Sequence, residues 1–391
     1  MRQRSGDLFP TDSPLPASQL IGRGADVRET ANALANGTHL VFAGPRRTGK
    51  TSVCEAALTR LEGKGFYVAS VDLFRLADAA ELAEELAVAC VRNRSAAHRL
   101  AVKARQAGRA ALSTVQASAV LKIKGELGEA AELAFTPGLA GRNPERSLDQ
   151  ALGLPERIAV ADGRHMILFF DEFQEVASDR RPYGDPGALT KRMRAIFQRT
   201  SHVSYLFAGS IEHVMRDLFA PGQRAFSGFG SFHQLRTISA ADWAKGLMVR
   251  FAADDCELKP STMARIVELG EGHPRVTMLI AQQTHLVSVQ LETRQIDLDT
   301  VQQGYEAAFE GDRARLEQTV ERIRLLHRSA LAVARRVAGA GPPTRKLHPG
   351  VQDRVLKLLQ NAGIVEHPSR GDWRINDPLL RVYLQQLGPA V

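Results

Sequence analysis

Cysteine is scarce. The 391 residues hold three, Cys54, Cys90 and Cys256, with no CxxC spacing among them. Neither a disulfide framework nor a thiolate zinc site is indicated, and a reducing compartment fits best. Long apolar runs are also missing. Stretches such as Met166–Phe170 fall far short of the roughly 20 residues needed to cross a bilayer. The first residues, Met1–Ser18, mix Pro, Ser and Asp with no apolar centre, so they read as a flexible tail and not as a signal peptide. No repeat of 20–50 residues is visible. These absences point to a cytoplasmic protein with no membrane partner, whose length and 44% apolar content allow two or three domains.

What the chain does have is a run from Phe42 to Thr51 that completes the pattern Gly44-x4-Gly49-Lys50-Thr51. It is entered from the apolar stretch His39–Phe42, and Ser52–Leu61 reads as a helix. This strand–loop–helix context is what a phosphate-binding loop requires. Glycine lets successive N–H groups turn inward on phosphate oxygens, and the helix N-terminus adds partial positive charge beneath them. Gly44, Pro45, Arg46, Arg47, Thr48, Gly49 and Ser52 are therefore candidate phosphate contacts. Lys50 is expected at the β- and γ-phosphates of ATP, and Thr51 at Mg²⁺.

A second motif-bearing strand is predicted over His165–Glu172. It is apolar on both faces, as a central parallel strand should be, and it ends in two carboxylates. Ligand-binding groups in open α/β sheets gather at the carboxyl ends of strands. Asp171 is placed there to hold Mg²⁺, and Glu172 to polarise the water that attacks the γ-phosphate. A helix over Leu148–Ala161 leads into this strand. Further strands are expected at Phe66–Leu73, Val203–Ser210 and, at the edge, Gln234–Ile238. Ser210 is read first as the cap of a helix over Ile211–Phe219, and second as a contact for phosphate or water. Asp26 is read as a cap of the helix that runs to Leu34. Ala79–Arg105 reads as helix and Val115–Phe135 as a hairpin. The chain turns helical from Ala240 to about Arg324, with a break at Gly270–Pro274.

Charge is unevenly spread. Residues 322–391 hold 12 Lys/Arg against 4 Asp/Glu, which accounts for the whole net charge of +8, while the remainder is balanced at 39 of each sign. A polyanionic partner for this end follows, against the plainer reading of a solvated basic surface. The same region predicts a helix over Arg328–Gly339, a helix from Val351 to Ala362, and strands Ile364–His367 and Trp373–Asn376, which is the layout of a winged helix. On double-stranded DNA, Arg354, Lys357 and Gln360 would face the major groove, and Arg370 and Arg374 the backbone.

In order, Gly22-Arg23, the phosphate loop, Asp171-Glu172-Phe173-Gln174, Gly209-Ser210 and Gly272-His273-Pro274 resemble the AAA+/STAND superfamily of P-loop ATPases. The closest likeness is to archaeal-type ATPases, with a more distant one to origin-recognition initiators. The resemblance implies an α/β fold with a P-loop AAA+ core over 21–238, a helical lid over 239–321 and a winged-helix domain over 322–391, after a tail over 1–20. It further implies that Gly22 and Arg23 lie near adenine and ribose, and that Pro274 and Arg275 belong to a lid that reads the γ-phosphate. STAND members commonly lack that arginine. Arg224 falls where initiators carry an arginine finger offered to a neighbouring subunit, with Arg216 as a rival, so a homo-oligomer is one expectation. Ser210 stands where many AAA+ enzymes have asparagine, which implies slow hydrolysis. The function so implied is a Mg²⁺-dependent ATPase whose winged helix engages DNA. The alternatives are a switch acting on a protein partner, with the winged helix as an internal lid, and a small-substrate kinase, against which the Asp171-Glu172 strand end argues.

Overall fold

Five short apolar segments pair side by side, all parallel, in the order β2-β3-β4-β1-β5: β1 Leu40–Ala43, β2 Tyr67–Asp72, β3 Met166–Asp171, β4 Val203–Gly209 and β5 Ser231–His233. The computed structural model describes residues 3–11, 13–92, 144–177, 185–220, 222, 225–339, 348–369 and 372–387. The expected hairpin at 115–135, the second half of the helix expected at 79–105, Arg224 and Arg370 all lie outside them.

The sheet is a buried layer. β4 is buried at every position, and in β3 only Asp171, the last residue, is partly open. That is why β3 reads as an unbroken apolar run and not as an alternating one. One face of the sheet carries aromatics: Phe173 sits 4.6 Å from Phe207, 5.7 Å from Phe219 and 5.3 Å from Phe226, ring centre to ring centre. On the other face Val53, Ala57 and Leu61 of the helix Lys50–Glu62 pack among Leu40, Phe42, Ile167, Phe169 and Leu206. Register aligns the strand ends: Ala43 pairs with Gly209, and Asp72 with Asp171. The phosphate loop, Ser210 and the carboxylates of β3 therefore emerge along one edge.

A second body follows. Helices Ala240–Ala252, Pro260–Leu269, Pro274–Gln290 and Leu298–Gly311 occupy the region expected as the lid, and Arg313–Leu326 continues from it. Helices Ala330–Val337 and Pro349–Asn361, the antiparallel hairpin Val365–Ser369/Asp372–Ile375 and a last helix, Pro378–Gln386, occupy the region expected as the winged-helix module. These elements share one continuous core that includes Trp243, Ile266, Leu316, Val355 and Leu379. None of the helices searched among the described residues is long and apolar enough to cross a membrane.

Several expectations need correction. The edge strand is Ser231–His233, which ends just before the stretch Gln234–Ile238 expected to form it. The helix expected over Leu148–Ala161 is two, Pro144–Leu152 and Leu154–Asp162, separated by Gly153 and restarted by Pro155 in the first turn. Asp26 does not cap its helix. It lies in the first turn, is buried, and pairs with Arg23 at 3.2 Å. The segment expected as a flexible tail is anchored at two residues: Leu8 and Phe9 are buried, and Phe9 sits 4.6 Å from Phe251, ring centre to ring centre.

Candidate nucleotide-binding site

At the carboxyl edge of the sheet lies a cavity of about 1010 Å³, lined by Arg23, Arg46–Ser52, Asp171, Glu172, Ser210, Pro274 and Arg275 among others. Its floor is the phosphate loop. Gly49 adopts φ 89 and Arg47 φ 67, left-handed conformations that turn the loop back into the helix beginning at Lys50. The Lys50 ammonium donates to the carbonyls of Gly44 (2.8 Å) and Pro45 (2.6 Å), closing the loop on itself. The Thr48 hydroxyl donates to the Pro45 carbonyl at 3.0 Å. Burial is the main influence on Lys50, whose pKa is carried down to about 8 although Glu172 and Asp171 pull it upward.

Thr51 Oγ1 donates to Asp171 Oδ2 at 2.9 Å, so the first helical turn and the end of β3 bring a hydroxyl and a carboxylate together. Burial raises the pKa of Asp171, with the Thr51 hydrogen bond opposing it. This oxygen-only pair is the donor chemistry that Mg²⁺ selects. Glu172 follows in a left-handed conformation, φ 50, which aims its side chain across the edge instead of along the strand. Its Oε2 accepts from Ser210 Oγ at 2.7 Å and from the amide of Gln174. Ser210 therefore does not cap the following helix; the N-cap position is Ile211 and makes no side-chain cap bond. Ser210 Oγ also accepts from Arg46 Nε at 3.2 Å, and the Ser210 amide donates to Gln174 Oε1 at 3.2 Å.

Gln174 stands in the sequence motif Asp171-Glu172-Phe173-Gln174 without an assigned role, and the structure shows what it contacts. It is buried and bridges the end of β3 to the end of β4. Gly209 makes room for it: a Cβ there would sit 2.7 Å from Gln174 Oε1 and 2.4 Å from Met215 Sδ. The signal that marks this pair, a glycine ending one strand and a glutamine just past another, is too weak to read without the fold.

Gly22 and Arg23 approach from the side. Gly22 turns at φ 65, close enough to Ile238 that a Cβ would fall 2.8 Å from its Cγ2. The Arg23 guanidinium is tied to Asp26, to the Thr48 carbonyl at 3.1 Å and to the Arg236 carbonyl. On the lid side, Pro274 opens its helix and His273 caps it through Nδ1, which accepts from the Val276 amide at 3.3 Å. Burial carries the His273 pKa down to about 4, against the pull of Asp377. Arg275 reaches the cavity wall but holds Asp312 through two hydrogen bonds, 3.1 and 2.9 Å. Arg216 is engaged in its own helix with Glu212 at 2.7 Å.

The residues expected at DNA lie elsewhere, on the winged-helix module. Arg354 and Lys357 are exposed and Gln360 is half-buried on the helix Pro349–Asn361. Arg374 pairs with Asp372 at 2.7 Å. The helix Pro349–Asn361 also packs against the core helix Glu212–Phe219.

No protein-family model matches this sequence, and no curated protein matches it. Solved structures do match in fold. A Walker-type ATPase of Pyrococcus abyssi aligns with a TM-score of 0.69 at 14% identity, over 96% of this chain and 99% of that one. The ORC2 protein of Aeropyrum pernix, in ADPNP–ADP complexes, aligns with a TM-score of 0.58 at 14% identity, over 99% of this chain and 97% of that one. Its ADP form gives 0.54 at 14% identity, over 97% and 95%. The fold is thus α/β, built on a parallel sheet in the order β2-β3-β4-β1-β5, and is shared with these proteins along nearly the whole chain.

Proposed function

We propose that this protein is an ATP-hydrolysing molecular switch whose winged helix engages double-stranded DNA in a nucleotide-dependent way. One observation carries the reading: the phosphate loop, the Thr51–Asp171 pair and the Glu172–Ser210–Gln174 cluster converge on one cavity at the carboxyl ends of β1, β3 and β4. The nucleotide-bound ORC2 structures lend support through a shared fold.

In this reading the backbone amides of Gly44–Ser52 and the Lys50 ammonium receive the phosphates of ATP. Thr51 and Asp171 hold Mg²⁺, which when bound neutralises phosphate charge. Glu172 orients the attacking water and accepts its proton at a carboxylate oxygen, while Ser210 and Gln174 fix the carboxylate's position. Gly22 and Arg23 border the base and ribose. Pro274 and Arg275 bring the lid to the γ-phosphate, and Arg224 serves a neighbouring copy if the protein assembles. Arg354, Lys357, Gln360, Arg370 and Arg374 meet DNA.

A second reading has its own support. The helix expected in the major groove rests partly on the core helix Glu212–Phe219, which suits a protein-directed switch with the winged helix as an internal lid. Binding of duplex DNA by the Glu172→Gln protein with ATP, with ADP and without nucleotide, across a salt series, separates the two. Salt-sensitive binding that depends on ATP supports the DNA switch. Absence of binding in every state refutes it in favour of the protein-directed switch.

A further inference from the structure

Where the lid meets the winged-helix module, two arginines share one carboxylate. Asp312 accepts two hydrogen bonds from Arg275 (3.1 and 2.9 Å) and two from Arg315 Nε (2.9 and 2.8 Å). Arg315 also reaches Asp377 at 2.7 Å. Asp377 in turn caps the last helix, its Oδ1 accepting from the amides of Leu379 (2.9 Å) and Leu380 (3.2 Å). The chain of contacts therefore runs from the cavity wall (Arg275), through the lid (Asp312, Arg315), into the winged helix (Asp377). Nearby, Arg381 of that last helix donates to Glu271 of the lid at 3.0 Å.

Exposure decides how much these pairs count. The side chains of Arg275 and Asp312 are 11% and 6% exposed, and those of Arg315 and Asp377 are 23% and 17% exposed, so water screens them far less than surface pairs. The two arginines and two carboxylates sum to zero charge. Arg47 adds a positive charge close by, and His273, half-buried and neutral, adds none. Burial alone would raise the pKa of Asp312, yet the hydrogen bonds from Arg315 and Arg275 take it down to about 2.

We infer that Asp312, backed by Arg315 and Asp377, is a positioning residue that sets how available Arg275 is to the terminal phosphate of a bound nucleotide, and so couples the winged helix to phosphate count. This rests on the reading of the cavity as a nucleotide site. A triphosphate competes with Asp312 for Arg275; a diphosphate, one phosphate shorter, competes less. When Arg275 turns to the phosphate, Asp312 and Asp377 are left sharing Arg315, and their mutual repulsion loosens the Asp377 contact. Coupling between two sites is reciprocal, so whatever draws Asp377 away from Arg315 strengthens triphosphate binding. With Asp377 gone, Arg315 turns wholly to Asp312 and weakens its hold on Arg275.

The test is the ratio of affinities for a non-hydrolysable ATP analogue and for ADP, titrated on the full chain. Asp312→Asn should raise the preference for the triphosphate about tenfold, within the usual range of coupling energies. Asp377→Asn should raise it in the same direction by less, while ADP affinity stays near that of the parent in both. In an Arg275→Ala background neither change should alter the ratio, an outcome that a general loss of structure does not produce. If Asp312→Asn fails to fold, Asp377→Asn, which leaves the Arg275–Asp312 pair in place, carries the test. Failure of the unaltered protein to bind either nucleotide would sink the cavity reading. Binding of both with a ratio that neither substitution changes would overturn this inference alone.

Discussion

Glu172→Gln should separate nucleotide binding from turnover. The replacement is nearly the same size and leaves the φ 50 backbone and the phosphate loop alone. In the structure one carboxylate oxygen, Oε2, is occupied by Ser210 Oγ at 2.7 Å and by the Gln174 amide. Oε1 receives no hydrogen bond from the described residues and is the atom available to take a proton. An amide can still satisfy Ser210 but has no basic oxygen to offer. Loss of a positioned base typically costs about 10²–10⁴ in rate. At about 1.36 kcal/mol per decade, the barrier rises by roughly 2.7–5.4 kcal/mol. Binding changes much less. Glu172 is among the groups that help Lys50 keep its proton, so removing it lets the Lys50 pKa slip further and weakens phosphate binding without abolishing it. Single-turnover hydrolysis beside a fluorescent-nucleotide titration measures both quantities. Hydrolysis within a few-fold of the parent, at equal occupancy, would refute the role given to Glu172 and leave the phosphate loop assignment standing.

Other outcomes follow from the same geometry. Gly209→Ala forces a methyl group against Met215 and Gln174, an overpacking worth about 1–3 kcal/mol. Thermal unfolding should fall by several degrees and turnover should slow as Gln174 leaves Glu172; an unchanged Tm would mean the edge is looser than drawn. For Lys50, burial lowers the folded pKa to about 8 from its ordinary value of 10.5. Between these values the unfolded chain binds more protons, so stability rises with pH there while phosphate affinity falls. Calorimetry in buffers of different ionisation enthalpy should detect proton uptake on nucleotide binding above pH 8, and its absence would contradict the burial argument. His39 and His273 are both lowered to about 4, chiefly by burial. The unfolded chain then binds more protons between pH 6.5 and 4, so urea midpoints should drop as pH falls through that window; a flat profile would count against two half-buried neutral imidazoles. If DNA is bound, Arg354→Ala with Lys357→Ala should reduce the slope of log affinity against log salt by roughly 1.8. An unaltered slope would move the contact off this helix.

Sequence exposed the site's local parts and hid its cross-chain ones. The phosphate loop and β3 were legible because their physics is local: glycine at a turn, a helix behind it, a run with no polar face. The capping reading of Ser210 failed because its hydroxyl is drawn to Glu172, 38 residues away, which outweighs the local cap. Gln174, quoted in the motif, received no role for the same reason. The edge strand slipped because only Ser231–His233, which carries a single apolar residue, lies alongside β1. Gly153 and Pro155 did announce the helix break in the sequence, and apolar periodicity on both sides concealed it. The first residues misled by composition, since only two large apolar side chains, Leu8 and Phe9, anchor them, and their partners lie far along the chain.

That last arrangement bears on how the chain matures. Ser5 Oγ meets His285 Nδ1 at 2.8 Å across 280 residues of sequence, Phe9 closes on Phe251, and the Leu15 amide donates to Ser52 Oγ at 3.0 Å beside the cavity. A ribosome adding about 5–20 residues per second leaves Ser5 waiting roughly 14–56 s for its partner. The parallel sheet and phosphate loop have been synthesised before then, while the cavity still lacks its lid and the anchor for its first wall. A chain stalled between 235 and 250 should therefore carry a formed phosphate loop and an unfastened amino-terminal strand of residues, open to protease until the lid emerges.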